Sequence, residues 1–192
     1  MSENTQQART VATSDHGKLD VRALVLLAVL LAAGFILDFT VGKAITGATG
    51  GVICPEFIIS AFCLTILVVR PNAGQALVIG LISAAVIQLT TSSPFIDFAA
   101  EGVAAMLMAG IVAVGMRPGS NGRAKALVPC IGTFVTTVVS GVIFMLIKIA
   151  MVGLAQQLAA AMLPVVFATA VFNAILVQAL YVPIRKALKL ND

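Results

Sequence analysis

From Leu127 to Ile147 the chain runs without a single charged side chain, and Ala23 to Leu37 is continuously apolar. About 20 such residues cross the hydrocarbon core of a bilayer as a helix. A spanning strand would instead give segments of about ten residues in strict alternation, and these runs do not alternate. The composition agrees with burial in lipid. Only 10% of the 192 residues are charged and 60% are hydrophobic, whereas soluble domains carry roughly a quarter charged residues. Mean hydropathy is +1.08. At about 20 residues per span, this length accommodates six helices and leaves no room for a separate soluble catalytic domain.

The apolar runs predict spans over Val21 to Val41, Phe57 to Val69, Ala73 to Leu89, Pro94 to Met116, Ala126 to Leu154, and Leu158 to Val182, the last interrupted by Pro164. Gly42 to Gly51 reads as an extramembrane loop that closes before Pro55. Phe57 to Val69 is short enough to be a re-entrant piece. Orientation decides that point. With the N-terminus in the cytoplasm, Arg9, Lys18, Arg22, Arg70, Arg117, Arg123, Lys125, Arg185, Lys186 and Lys189 all fall inside, against Lys43 and Lys148 outside. If the second run did not span, the Arg117 to Lys125 cluster would move outside against the positive-inside rule. The expected architecture is therefore an all-α membrane protein with six transmembrane helices and both termini cytoplasmic. Residues 1–19 form a disordered cytoplasmic tail, 20–186 the six-helix domain, and 187–192 a second tail. The net charge of +4 follows from this basic inner side, not from nucleic-acid binding.

Threaded this way, Asp38, Glu56, Asp97 and Glu101 collect toward the outer side, with Gln88, Thr90, Thr91, Ser92, Ser93, Lys148, Gln156 and Gln157. Charged residues in a span are costly unless they face a cavity or a partner, which marks them as functional candidates. One outward-facing polar pocket explains them together, although the interfacial ones are also compatible with simple hydration or snorkelling. Asp97 and Glu101 are one helical turn apart and share a face. Candidate substrate-binding residues are Asp38, Glu56, Thr90, Thr91, Asp97, Glu101 and Lys148, with Lys43 a second cation. Phe35, Phe39, Phe57, Phe95 and Phe98 lie at the same depth and offer apolar walls.

Enzymatic signatures are missing. His16, the only histidine, lies in the tail, so neither an HExxH zinc site nor a Ser and His pair can form. Lys43 follows Gly42 but precedes Ala44, which excludes a phosphate-binding loop. Cys54, Cys63 and Cys130 lack metal or disulfide spacing and read as small packing residues. No metal and no cofactor are expected.

In the first span, Ala28 and Ala32 form an AxxxA spacing with Ala33 and Gly34 beside them, and small residues one turn apart let another helix approach closely. Six spans, inner termini, an outer polar pocket and this spacing together resemble the substrate-binding S component of an energy-coupling factor transporter. The resemblance implies that Ala28 and Ala32 contact a transmembrane T component. That component connects to two cytoplasmic ATPases in the bacterial plasma membrane. Within that group, Cys54-Pro55-Glu56-Phe57, Gly80-Leu81 and Leu89-Thr90-Thr91 with Pro94 resemble the tryptophan transport protein subfamily. Ser92 to Ile96 depart from the glycine pair and glutamine of those relatives. The implied ligand is tryptophan, a related aromatic amino acid or a vitamin-like molecule. Two other readings of the same residues are a stand-alone proton-coupled secondary transporter, with Asp97 or Glu101 carrying the proton, and a non-transporting scaffold subunit.

Overall fold

The computed structural model describes residues 21–91, 93–153 and 156–188. The expected tail over 1–19, with His16, lies outside them, as do Ser92, Leu154, Ala155 and residues 189–192; the side chains of Gln156 and Gln157 are likewise not described. The described elements are all helical: α1 (Val21–Leu37), a π turn (Asp38–Gly42), α2 (Lys43–Ala48), α3 (Phe57–Val69), α4 (Ala73–Ile87), α5 (Ile96–Gly115), α6 (Gly122–Val152) and α7 (Gln156–Ala187). Four helical stretches are long and apolar enough to cross a membrane: 21–48, 96–115, 122–151 and 160–187. α3 and α4 are shorter apolar helices.

α3 sits at the centre. It is apolar nearly all round, and every residue from Phe57 to Val68 is buried, the pattern of a helix with no face toward its surroundings. It packs against α1, α4, α5, α6 and α7. At 1.5 Å per residue its 13 residues extend only about 20 Å, so longer helices surround a shorter core. Arg70 ends it in the left-handed conformation, φ 53°, immediately before Pro71. α4 then starts with a reciprocal cap: the Asn72 side chain accepts from the Gln75 N–H, and the Gln75 side chain from the Asn72 N–H, which satisfies two donors otherwise orphaned at a helix start.

Close backbone approach fixes two of the packings. A methyl group at Gly80 would lie 2.5 Å from the Glu101 carbonyl oxygen, so the absent side chain is what lets α4 lie against α5. Gly34 meets the Phe57 carbonyl oxygen in the same way at 3.1 Å, seating α1 on the start of α3.

Three expectations need correction. The expected loop from Gly42 to Gly51 is helical as far as Ala48, through the π turn and α2. Gly42 keeps helical dihedrals, φ −59° and ψ −50°, and is buried beside the Phe57 ring. Only Gly50 and Gly51 take positive φ, 62° and 83°, and the chain turns there. Pro164 does not interrupt the last helix: α7 runs continuously past it and past Pro183. The fifth expected span, α6 in the structure, begins at Gly122, before Ala126, and ends at Val152, where Gly153 caps it at φ 66°, the left-handed position that favours glycine.

Candidate functional site

The helices alternate in direction, so one end of the bundle gathers the end of α1, the starts of α3 and α5, the end of α4, the second half of α6 and the first half of α7. A cavity of about 400 Å³ opens among them, within the size range of small-molecule sites. Its polar lining includes Asp38, Glu56, Thr90, Thr91, Asp97 and Glu101, together with Lys43. Apolar walls come from Phe39, Ile59, Ile87, Phe144, Met162, Val165 and Val166.

Each carboxylate is held differently. Asp38 reaches across from the π turn, and its Oδ1 accepts the Phe57 backbone N–H at 2.8 Å. This is one of the orphan donors of the first turn of α3, where a negative charge is favoured. Asp97, in the first turn of α5, is braced by the preceding turn. Gln88 Nε2 donates to its Oδ2 at 3.2 Å, and Gln88 Oε1 accepts the Phe95 N–H at 3.0 Å, holding Phe95 at φ 69°.

Glu101 lies one turn further along α5 and is 3% exposed. The Ser140 hydroxyl of α6 donates to its Oε1 at 2.7 Å. Its Oε2 is buried and has no hydrogen-bond partner among the described residues. A buried, unpaired carboxylate oxygen carries a large desolvation penalty.

Two side chains of α7, one turn apart, clamp the segment before α3. The Thr169 hydroxyl donates to the Cys54 carbonyl at 2.8 Å. Asn173, fully buried, accepts the Glu56 N–H at 3.4 Å and donates to Thr137 at 3.4 Å. The clamp holds Cys54, Pro55 and Glu56 in the cavity wall.

Residues 20–189 match the protein family described as Tryptophan transporter TrpP. The chain belongs to the TrpP family. Comparisons with curated proteins and with solved structures give no match. A TrpP-family membership makes the all-helical bundle with its long apolar helices a membrane transporter.

Within this TrpP-family chain, six of the seven expected substrate-binding residues line one cavity, and Lys148 does not. Lys148 is half-buried, with its ammonium 5.1 Å above the Phe144 ring. The lining cation is Lys43, whose ammonium lies 4.2 Å above the Phe39 ring. Of the five expected phenylalanines only Phe39 lines the cavity. Phe57 packs edge-on against Phe172, and Phe95 is 76% exposed. Thr137, Ser140, Phe144 and Thr169 line it without having been expected. Thr133, Thr137 and Ser140 fall at helical spacing on the face that also carries Phe144, and that stripe of hydroxyls on an otherwise apolar run was the available signal.

Ala28 and Ala32 are exposed on α1 beside Val25, Val29 and Ile36, while Gly34 is turned inward. Among the described residues no group of three or more His, Cys, Asp and Glu is arranged to hold a metal ion.

Proposed function

We propose that this chain is the membrane-embedded substrate-capture subunit of an ATP-driven importer of the energy-coupling factor type, taking up tryptophan or a related aromatic amino acid from outside a bacterial cell. The observation that carries the reading is the cavity, in which four carboxylates, one of them with a buried oxygen lacking a hydrogen-bond partner, stand among apolar walls of a size that suits one aromatic amino acid. An amino acid offers an ammonium to an anion and a carboxylate to a cation, and Glu56, Asp97, Glu101 and Lys43 present both signs. The family name points to the same ligand.

Six spans with both termini cytoplasmic are part of this reading. In support, α1, α3 and α5 each carry an acid at the cavity end and a basic residue at or beyond the other: Arg22 and Asp38, Glu56 and Arg70, Asp97 and Arg117. Basic residues favour the cytoplasmic side, so the cavity faces out. The exposed Ala28 and Ala32 then form the surface for the transmembrane T component, which links to two cytoplasmic ATPases. An ATP-binding loop is missing from the chain's own motifs, so the energy comes from that partner.

Binding of radiolabelled tryptophan to the purified protein, with uptake in cells carrying or lacking the ATPase module, tests this. Tryptophan is expected to bind the parent, and Glu101→Ala to bind it more than tenfold more weakly, because a charge-assisted hydrogen bond in a desolvated site contributes about 1.5–3 kcal/mol and about 1.4 kcal/mol is tenfold. Uptake that persists without the ATPases would overturn the coupled mechanism in favour of proton-driven transport.

A further inference from the structure

The cavity is electrostatically one-sided. Among the described residues four carboxylates line it, Asp38, Glu56, Asp97 and Glu101, against the one ammonium of Lys43. The acids are also the deeper groups. Glu101 is 3% and Asp97 7% exposed, whereas Lys43 is an exposed residue that rests on the face of Phe39 at the rim. Lys148 is engaged in the same way on Phe144 and does not line the cavity.

Two of the acids are already provided for by the protein. Asp38 caps α3 through the Phe57 N–H, and Asp97 accepts from Gln88 Nε2. Glu101 is half provided for. Ser140 holds Oε1 at 2.7 Å, which fixes the carboxylate in one orientation and leaves Oε2 buried without a partner. Buried charges in proteins are paired or bound to a cation, and among the described residues the cation that lines the cavity is the exposed Lys43. Oε2 is therefore open to a positive N–H donor carried by a ligand.

We propose that the site recognises the ammonium group of its ligand through Glu101, positioned by Ser140, and that the ligand's carboxylate is dispensable. This rests on the reading of the cavity as an aromatic amino acid site and narrows it: the ligand class is a primary ammonium on an aromatic body, amino acids and their decarboxylated amines alike. The physical reason is the difference in solvation of the two ends. The one cation among the described lining residues that a ligand carboxylate can meet is an exposed lysine, and exposed ion pairs are screened and weak. A ligand ammonium meets a desolvated carboxylate, and a ligand lacking that donor leaves Oε2 unpaired, which is where discrimination is largest.

Direct binding of three probes to the purified full chain tests this: tryptophan, tryptamine, which lacks the carboxylate, and indole-3-propionate, which lacks the ammonium. Tryptamine is expected to bind within tenfold of tryptophan, and indole-3-propionate at least a hundredfold more weakly than either. Glu101→Gln keeps the size and fold of the side chain and is expected to weaken tryptophan and tryptamine together by more than tenfold while leaving indole-3-propionate unchanged. Ser140→Ala shifts the first two in the same direction by less. Tryptophan bound but tryptamine not, or indole-3-propionate bound as tightly as tryptophan, overturns the ammonium reading and leaves the transporter reading standing. Tryptamine bound without tryptophan overturns the reading that amino acids and amines bind alike, and removes tryptophan as the substrate. Neither bound overturns both. The comparison of probes on the parent needs no variant, so a variant that fails to fold does not decide it.

Discussion

The Asp38 carboxylate and the Phe57 backbone N–H lie 2.8 Å apart, joining the end of α1 to the start of α3 across 19 positions of chain. The bond ties the helix that faces outward to the helix that forms the core, at the wall of the cavity. Asp38→Ala is expected to lower stability by about 1–2 kcal/mol, the usual cost of a lost helix cap. Asp38→Asn keeps an acceptor and retains most of it. Thermal unfolding of the purified variants measures both, and an unchanged melting temperature in Asp38→Ala would show that the cap is not stabilising.

Gly80 is expected to tolerate no larger residue. A Cβ there would press on the Glu101 carbonyl oxygen at 2.5 Å and on the Ala105 methyl at 2.8 Å, and backbone cannot swing aside as a side chain does. Overpacking a tight contact costs about 1–3 kcal/mol. Gly80→Val should lower both the melting temperature and tryptophan affinity, because the residue displaced carries the cavity's deepest carboxylate. Lost stability with parent-like affinity would separate the α4 contact from the site.

Replacing Ala28 or Ala32 by tryptophan adds bulk to an exposed face of α1 where close helix approach depends on small side chains. The expected result is full ligand binding by the isolated protein, loss of co-purification with the T component and ATPases, and loss of uptake. Normal uptake with tryptophan at both positions would place the docking surface elsewhere.

The six-span arrangement is checked by single cysteines in a background with Cys54, Cys63 and Cys130 replaced by alanine. Gly47 has nothing within 4 Å of an added side chain, and Gly47→Cys is expected to react with a membrane-impermeant reagent from outside. Ser120→Cys, in the turn between α5 and α6, is expected to react only after the cells are opened. Ser120 is preferred to Gly119, whose φ of 91° strains any side chain. Labelling at Ser120→Cys from outside would reverse the orientation and turn the cavity inward.

The course of α1 shows how far local signals reach. Its apolar run is plain in the sequence, yet four glycines between 42 and 51 read as a loop, because glycine favours turns when nothing else is known. Gly42 stays helical since Phe57 packs beside it, a contact made only once α3 is in place. The acids behave similarly. The spacing of Asp97 and Glu101 is visible as one face of a helix, but the partners that distinguish them, Gln88 and Ser140, come from other helices. Thr133, Thr137 and Ser140 passed as part of an apolar helix because hydroxyls are tolerated in helices within lipid, where they bond to backbone or neighbouring helices.

The distribution of apolar and charged residues along the chain by itself determined that this is a helical membrane protein, where the core of each long apolar helix lies, though not the helical stretch from Lys43 to Ala48, and that its acids collect toward one end. These are properties of segments, decided by the cost of moving each stretch of about 20 residues out of water. Which acid is capped, which is braced and which is left with a buried free oxygen was decided only when α3 was enclosed by its five neighbours. So was the choice of Lys43 over Lys148 as the cation at the cavity. Hydrogen bonds and close approaches act over about 3 Å between residues up to 117 positions apart, and no local pattern records which helix supplies the partner.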